Sequence, residues 1–165
     1  GIYINYNGYG GSISDLHFAP ADLYQRMLPF SSPLDFIAST DGTFDKLEQG
    51  YNNDMTAAAA IKPDLETNAV AVFSFPGEAW ARRVSGVYGN DLANRHPERA
   101  HAIVTHKADG TYLVSVRAPL ANKTGADELC RQFPTGGGRK AAAGINALPS
   151  DQLQAFIDAF QQRYT

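Results

Sequence analysis

From residue 67 onward, apolar and polar positions alternate in blocks of strand and helix length. Ala69-Val70-Ala71-Val72-Phe73-Ser74-Phe75 is a continuous apolar run, which predicts a strand covered on both faces. Trp80, Val84, Val87, Tyr88 and Leu92 follow at helical spacing and predict an amphipathic helix ending near Asn94 and Pro97. Residues 101–106 and 111–117 predict two strands joined by Lys107-Ala108-Asp109-Gly110, in which Asp-Gly is the hairpin signal. In the second of these, Tyr112, Val114 and Val116 share one face, so Arg117 lies on the other with Leu113 and Ser115, at the strand's end. Ala126, Leu129, Cys130 and Phe133 recur at i, i+3, i+4 and i+7, predicting a helix capped by Thr124 that runs into Gly136-Gly137-Gly138. The last helix has Ser150 as cap, Asp151 in its positive first turn, and a buried stripe of Leu153, Phe156, Ile157, Phe160 and Tyr164.

The first 66 residues have a different rhythm. Ile2-Tyr3-Ile4 reads as a strand, followed by a turn-rich stretch from Asn5 to Ser12 whose tyrosines either half-cover a core or offer a platform for stacked bases. Ser32 and Pro33 suit the cap and first turn of a short helix over 34–39, which Asp41-Gly42 ends. Thr43 is placed to cap a second helix reaching Gln49, and Asp54 or Thr56 a third through Ala57 to Ala60, before Pro63 closes the region.

Composition narrows the picture. A chain of 165 residues with 44% hydrophobic and 19% charged positions buries a core of its own. No apolar run approaches the ~20 residues that cross a bilayer, so no membrane association is expected. The single Cys130 excludes an internal disulfide and fits a reducing compartment, which makes the cytoplasm the expected location. A net charge of −3 argues against a generic nucleic-acid binder, yet Arg117, Lys123, Arg131, Arg139 and Lys140 fall within 24 positions and leave room for a local anion pocket. The chain opens on Gly1 and an apolar segment, as a piece of a longer protein would.

Several chemistries are missing. There is no Walker spacing and no dinucleotide fingerprint of spaced glycines. His101 and His106 lie five apart on one predicted strand and point to opposite faces, while His96 and His17 lie elsewhere, so no metal-ligand spacing is present. Cys130 falls on a buried helix face without a base, and Ser12 and Ser85 lack the turn of a hydrolase nucleophile. No catalytic residue is assigned to this chain.

What remains is Phe133-Pro134-Thr135-Gly136-Gly137-Gly138-Arg139-Lys140-Ala141-Ala142-Ala143-Gly144. Three glycines in a row mark either a flexible basic surface loop or a place where the backbone needs positive φ or something approaches it closely; in the second case bare amides beside Arg139 and Lys140 would make an anion nest. Residues 136–144 resemble the Gly-Gly-Gly-His-x-x-Ala-Ala-Gly signature of the DHHA1 domain. That domain is the C-terminal, substrate-binding half of the DHH phosphoesterases: RecJ-type nucleases, oligoribonucleases, cyclic-dinucleotide phosphodiesterases and exopolyphosphatase-like proteins. Arg139 stands where the family usually has a phosphate-contacting histidine, and Arg117 matches the family's substrate-holding arginine.

The resemblance implies an α/β fold: a mixed β-sheet flanked by helices over 67–165, preceded over 1–66 by the mostly helical tail of a DHH-type domain and its connector. It assigns phosphate binding to Gly136, Gly137, Gly138, Arg139 and Arg117. It implies no cofactor in this chain and divalent metal, manganese, in a separate N-terminal domain, since neither Asp-x-Asp nor Asp-His-His occurs here. Asp41, in Thr40-Asp41-Gly42-Thr43-Phe44, faintly resembles a late metal-binding acidic motif, against its reading as a turn residue. Expected partners are a phosphate-bearing small ligand or short oligonucleotide and the N-terminal DHH domain, with a homodimer left open. The rival readings are a non-catalytic RNA- or tRNA-binding module and an assembly domain.

Overall fold

The computed structural model describes every residue from Gly1 to Thr165. Its centre is set by the apolar run at Val70, where β-branched and aromatic residues favour a pleated, buried strand. This strand, β2 (Val70–Phe75), runs parallel to β3 (Ala100–His106), and the helix between them, α5 (Ala79–Arg95), makes the crossover that a parallel pair requires. β4 (Tyr112–Arg117) pairs antiparallel with β3 through the expected hairpin, in which Gly110 takes a positive φ of 82°. With β1 (Leu65–Glu66), β5 (Gly136–Arg139) and β6 (Ala142–Leu148), the whole sheet has six strands in the order β1-β2-β3-β4-β6-β5, so that β1 and β5 are its edges.

Alternation along the strands creates two unlike faces. Val70, Val72, Ala100, Ala102, Val104, Val114 and Val116 point to one side, where α6 (Ala126–Cys130) and α7 (Leu153–Tyr164) seal them with Leu129, Phe156 and Phe160. Ala71, Phe73, Phe75 and Ile103 point to the other, where α5 covers them with Ala81, Val84, Tyr88 and Leu92. Helix α5 covers the β2–β3 half of this second face and reaches β4 at Arg117, whose guanidinium bonds Asn90 and Gly86 of the helix. Over β6 and β5 the second face carries small and polar residues, Ala142, Gly144, Asn146, Gly137 and Arg139, and is left open.

The glycine segment departs from expectation. Residues 136–139 form an edge strand and not a loop, paired with β6 in the register Gly136↔Ile145, Gly137↔Gly144, Gly138↔Ala143, Arg139↔Ala142. Neither strand shows in the hydrophobic pattern, because Ala, Gly and Asn dominate both. Successive N–H groups of a strand point in opposite directions, so the three glycines do not make the concave nest expected of a turn.

The N-terminal region is helical. Ile2-Tyr3-Ile4 lies in α1 (Ile2–Tyr6) and not in a strand: Tyr6 is fully buried, and Tyr3 and Tyr6 both pack against Tyr51. Helix α2 (Pro20–Met27) follows, then α3 (Pro33–Ala38), whose Ser32 hydroxyl accepts from the Asp35 N–H as the sequence requires. The two helices expected after Gly42 are one, α4 (Thr43–Ala59). Asn52, Asn53 and Asp54 are weak helix formers, but α4 packs along α1 and α5, and this contact outweighs propensity. Thr124 and Ser150 make no cap: Gly125 in a left-handed conformation precedes α6, and a 3₁₀ turn over Ser150–Gln152 leads into α7.

Candidate phosphate-binding cleft

Arg117 ends β4 on the open face. Its register partner on β6 is Ala142, whose partner on β5 is Arg139, so the two arginines stand in one row with a single alanine between them. Paired residues of antiparallel strands point to the same side, and two strand spacings put their Cα atoms about 10 Å apart. The row below it reads Ser115, Gly144, Gly137. One side chain followed by two bare glycines gives a floor on which a ligand can approach the backbone.

The three consecutive glycines do different work. A Cβ on Gly136 would lie 1.7 Å from the carbonyl oxygen of Cys130, so α6 can close on the sheet only over a glycine. Gly138 has a φ of 141°, and a Cβ there would meet Ala143 at 2.5 Å. Gly137 alone has open space where a Cβ would stand, with nothing within 4 Å; with Arg139 it lies at the edge of the sheet beside the cleft and does not line it.

Arg117 is half-buried and has no carboxylate partner. Its Nε donates to the Asn90 side-chain oxygen at 2.6 Å, Nη1 to the Ser115 hydroxyl at 3.0 Å, and Nη2 to the Gly86 carbonyl at 2.9 Å. Its guanidinium lies against Gly86 and its stem against Gly89 of α5, where an added Cβ would stand 3.6 and 3.5 Å away, in ordinary contact. Burial lowers its pKa from the ordinary value, Arg139 adds to the lowering, and the Tyr9 hydroxyl opposes it. Arg139 is exposed and carries no ion pair.

The opposite wall comes from Tyr9, Gly10 and Gly11, which bound the cleft together with Arg82 and Lys107; its volume is about 460 Å3, within the roughly 300–1,000 Å3 usual for ligand sites. Two ion pairs fix this wall to α5. Arg82 grips Asp15 with two bonds of 2.6 and 2.7 Å, and this hydrogen bonding holds the Asp15 carboxyl at about 2. Arg83 grips Asp54 at 2.8 and 3.0 Å, and Asp54 also accepts from the Tyr6 hydroxyl, which in turn meets His17 Nε2 at 2.8 Å. Sequence reasoning missed both arginines; their distance from Asp15 and Asp54 along the chain hides the pairing.

Other expected features separate. Of the five clustered cations, Arg131 pairs with Asp127 at 3.2 Å on α6, and only Arg117 and Arg139 share the open face. Asp41 accepts from the Thr43 N–H at 2.9 Å and the Ser39 hydroxyl at 3.1 Å, a turn at the start of α4. Its neighbours include no second ligand, and the chain has no group of three His, Cys, Asp or Glu able to hold a metal. Asp15 and Asp54 do not fit a metal either, since guanidinium groups occupy both oxygens of each. Cys130 is buried, and its thiol is pushed up to about 12 by burial. No helix is long and apolar enough to cross a membrane.

Fold and site together define an α/β domain whose mixed sheet is sealed by helices on one face and left half open, with a row of arginines, on the other. The sequence profile of the DHHA1 domain matches residues 66–165, and the chain belongs to that family. Two DHH-family structures share its fold. The pGpG-specific phosphodiesterase PggH of Vibrio cholerae matches with a TM-score of 0.59 at 11% identity, over 88% of this chain and 51% of its own. RecJ of Thermus thermophilus, solved with Mn2+, matches with a TM-score of 0.59 at 19% identity, over 99% of this chain and 27% of its own. The chain thus spans about half of the first protein and about a quarter of the second. No curated protein sequence matches it.

Proposed function

We propose that this chain is the substrate-binding C-terminal portion of a metal-dependent DHH-family phosphoesterase. Residues 67–165 are the substrate-binding domain, and residues 1–66 are the tail and connector of a preceding catalytic domain. The observation that carries this is Arg117: a half-buried cation bonded only to neutral acceptors. Burying an unpaired charge is costly, and an anionic ligand supplies the missing countercharge.

In this reading one phosphate lies on the row between Arg117 and Arg139, where both guanidinium groups donate charge-assisted hydrogen bonds to its oxygens. Of the three glycines, Gly137 supplies bare backbone beside it, while Gly136 and Gly138 let β5 close against α6 and β6. Ser115 and Asn90 orient Arg117 through the bonds already described, and the Tyr9–Gly11 wall limits access of water. The divalent metal, manganese by family likeness, belongs to the preceding domain, where it would activate water for attack on phosphorus. Substrates are short oligonucleotides, phosphorylated nucleotides, cyclic dinucleotides or polyphosphate.

Calorimetric titration of adenosine 3′,5′-bisphosphate into the chain tests the assignment. Arg117→Ala and Arg139→Ala should each weaken binding by about 1.5–3 kcal/mol, the range for a hydrogen bond to a charged group. Unchanged affinity in both variants would overturn it.

A further inference from the structure

A guanidinium carries five N–H donors, and the fold engages four of those on Arg117. Nε donates to the Asn90 side-chain oxygen at 2.6 Å, Nη1 to the Ser115 hydroxyl at 3.0 Å and the Val116 carbonyl at 3.1 Å, and Nη2 to the Gly86 carbonyl at 2.9 Å. An arginine grips a phosphate with two parallel bonds when two N–H groups on one edge of the guanidinium are free. Here a single N–H remains, on Nη2, so Arg117 makes no such fork without leaving its cradle. Two of its partners, the Val116 and Gly86 carbonyls, belong to the main chain of β4 and α5 and cannot turn away.

Ser115 has the matching unused donor. It precedes Arg117 by two residues on the same face of β4 and lines the cleft. A hydroxyl has one proton to donate. The Ser115 oxygen accepts from Arg117 Nη1, and its own proton goes to no group of the protein. The register explains why: its partner on β3, Ile103, is apolar and buried, and its partner on β6, Gly144, has no side chain. The free hydroxyl proton and the last free guanidinium N–H thus belong to two groups already joined at 3.0 Å beside one cleft.

On the phosphate reading above, on which this rests, we infer that Ser115 is a phosphate-binding residue, completing with Arg117 the two-pronged grip that the arginine alone cannot make. Arg117 stays in its cradle and gives Nη2–H to one phosphate oxygen, and Ser115 turns its proton to the next. Little is reorganised on binding, because the guanidinium is fixed beforehand and a single hydroxyl rotates. The two residues therefore act on the ligand in parallel, not one through the other.

Calorimetric titration of adenosine 3′,5′-bisphosphate into single and double variants tests this, with weak variants followed by NMR shifts at millimolar ligand. Ser115→Ala should weaken binding about tenfold, as for loss of one hydrogen bond to a charged group. Ser115→Thr keeps the hydroxyl and should stay within about threefold of the unaltered chain. The Arg117→Ala background separates contact from support. Ser115→Ala should weaken binding there again, by at least about fivefold, whereas a serine that only steadies the arginine has nothing left to lose once the arginine is gone. In the unaltered chain, a readout free of folding defects, the ligand should shift the Ser115 Cβ resonance and leave the Arg117 Nε–H close to its free position. Undiminished affinity in Ser115→Ala, no further loss in the Arg117→Ala background, or a large Nε–H shift marking departure of Arg117 from its cradle overturns the role of Ser115. The phosphate site survives each of these results if Arg117→Ala itself weakens binding. Unchanged affinity in both Arg117→Ala and Arg139→Ala removes the phosphate site, and the role of Ser115 with it.

Discussion

Gly136 and Gly137 differ by one position and by opposite faces of β5. A methyl group on Gly136 must displace the Cys130 carbonyl, 1.7 Å away, and with it the end of α6. Gly136→Ala is expected to cost about 3 kcal/mol, the upper part of the usual range for overpacking a tight site. The same methyl on Gly137 enters open space, and Gly137→Ala should leave stability within about 0.5 kcal/mol, as for other surface changes without a clash. It should nevertheless weaken phosphate ligands several-fold, because it raises the floor between Arg139 and Ser115. Urea denaturation beside ligand titration separates the two effects; equal stability losses would contradict the facing of β5. A glycine triplet read along the chain gives no hint of this division, since only pairing with β6 turns consecutive residues to different sides.

At the scale of elements, β3 carries a buried histidine with a pH signature. His101 is 1% exposed, neither ring nitrogen has a partner, and burial lowers its pKa from 6.5 to about 4. The folded protein therefore keeps His101 neutral while the unfolded chain takes up the proton first. Protonation favours unfolding: the stability His101 contributes is complete above pH 6.5 and is lost progressively as the pH falls toward about 4. Chemical denaturation across this window should show falling stability, and His101→Leu should flatten the fall. His17, whose pKa burial also lowers, leaves part of the slope in place. An unaltered slope in the variant would remove His101 as its source. The element β3 itself was legible from its apolar run and hairpin, as were β2, β4, α5 and α7, because each carries strong periodicity. α1 was not: three apolar residues fit a strand and a helix equally, and only packing of Tyr3 and Tyr6 against α4 decides between them.

The whole molecule is acidic, with a net charge of −3, and its candidate site is a local row of two arginines. Few counterions are released when so small a site fills, so log–log salt titration with a short phosphorylated ligand should give a slope of about −1 to −2. A much steeper slope with long single-stranded RNA, together with tighter binding, would favour an RNA-binding module instead. The sequence alone determined the α/β class, the helical character of residues 33–60, the strand-bearing character of residues 70–117 and the kinship carried by residues 136–144. These rest on short-range periodicity and on residue types that cannot be hidden. Tertiary structure alone decided that the glycines form an edge strand, that Arg117 and Arg139 share a row across β6, that α5 reaches Arg117 but stops short of Arg139, and that Arg82 and Arg83 tie the N-terminal helices to the sheet domain. Each of these depends on which distant segments come into register, and no spacing along a single chain encodes that.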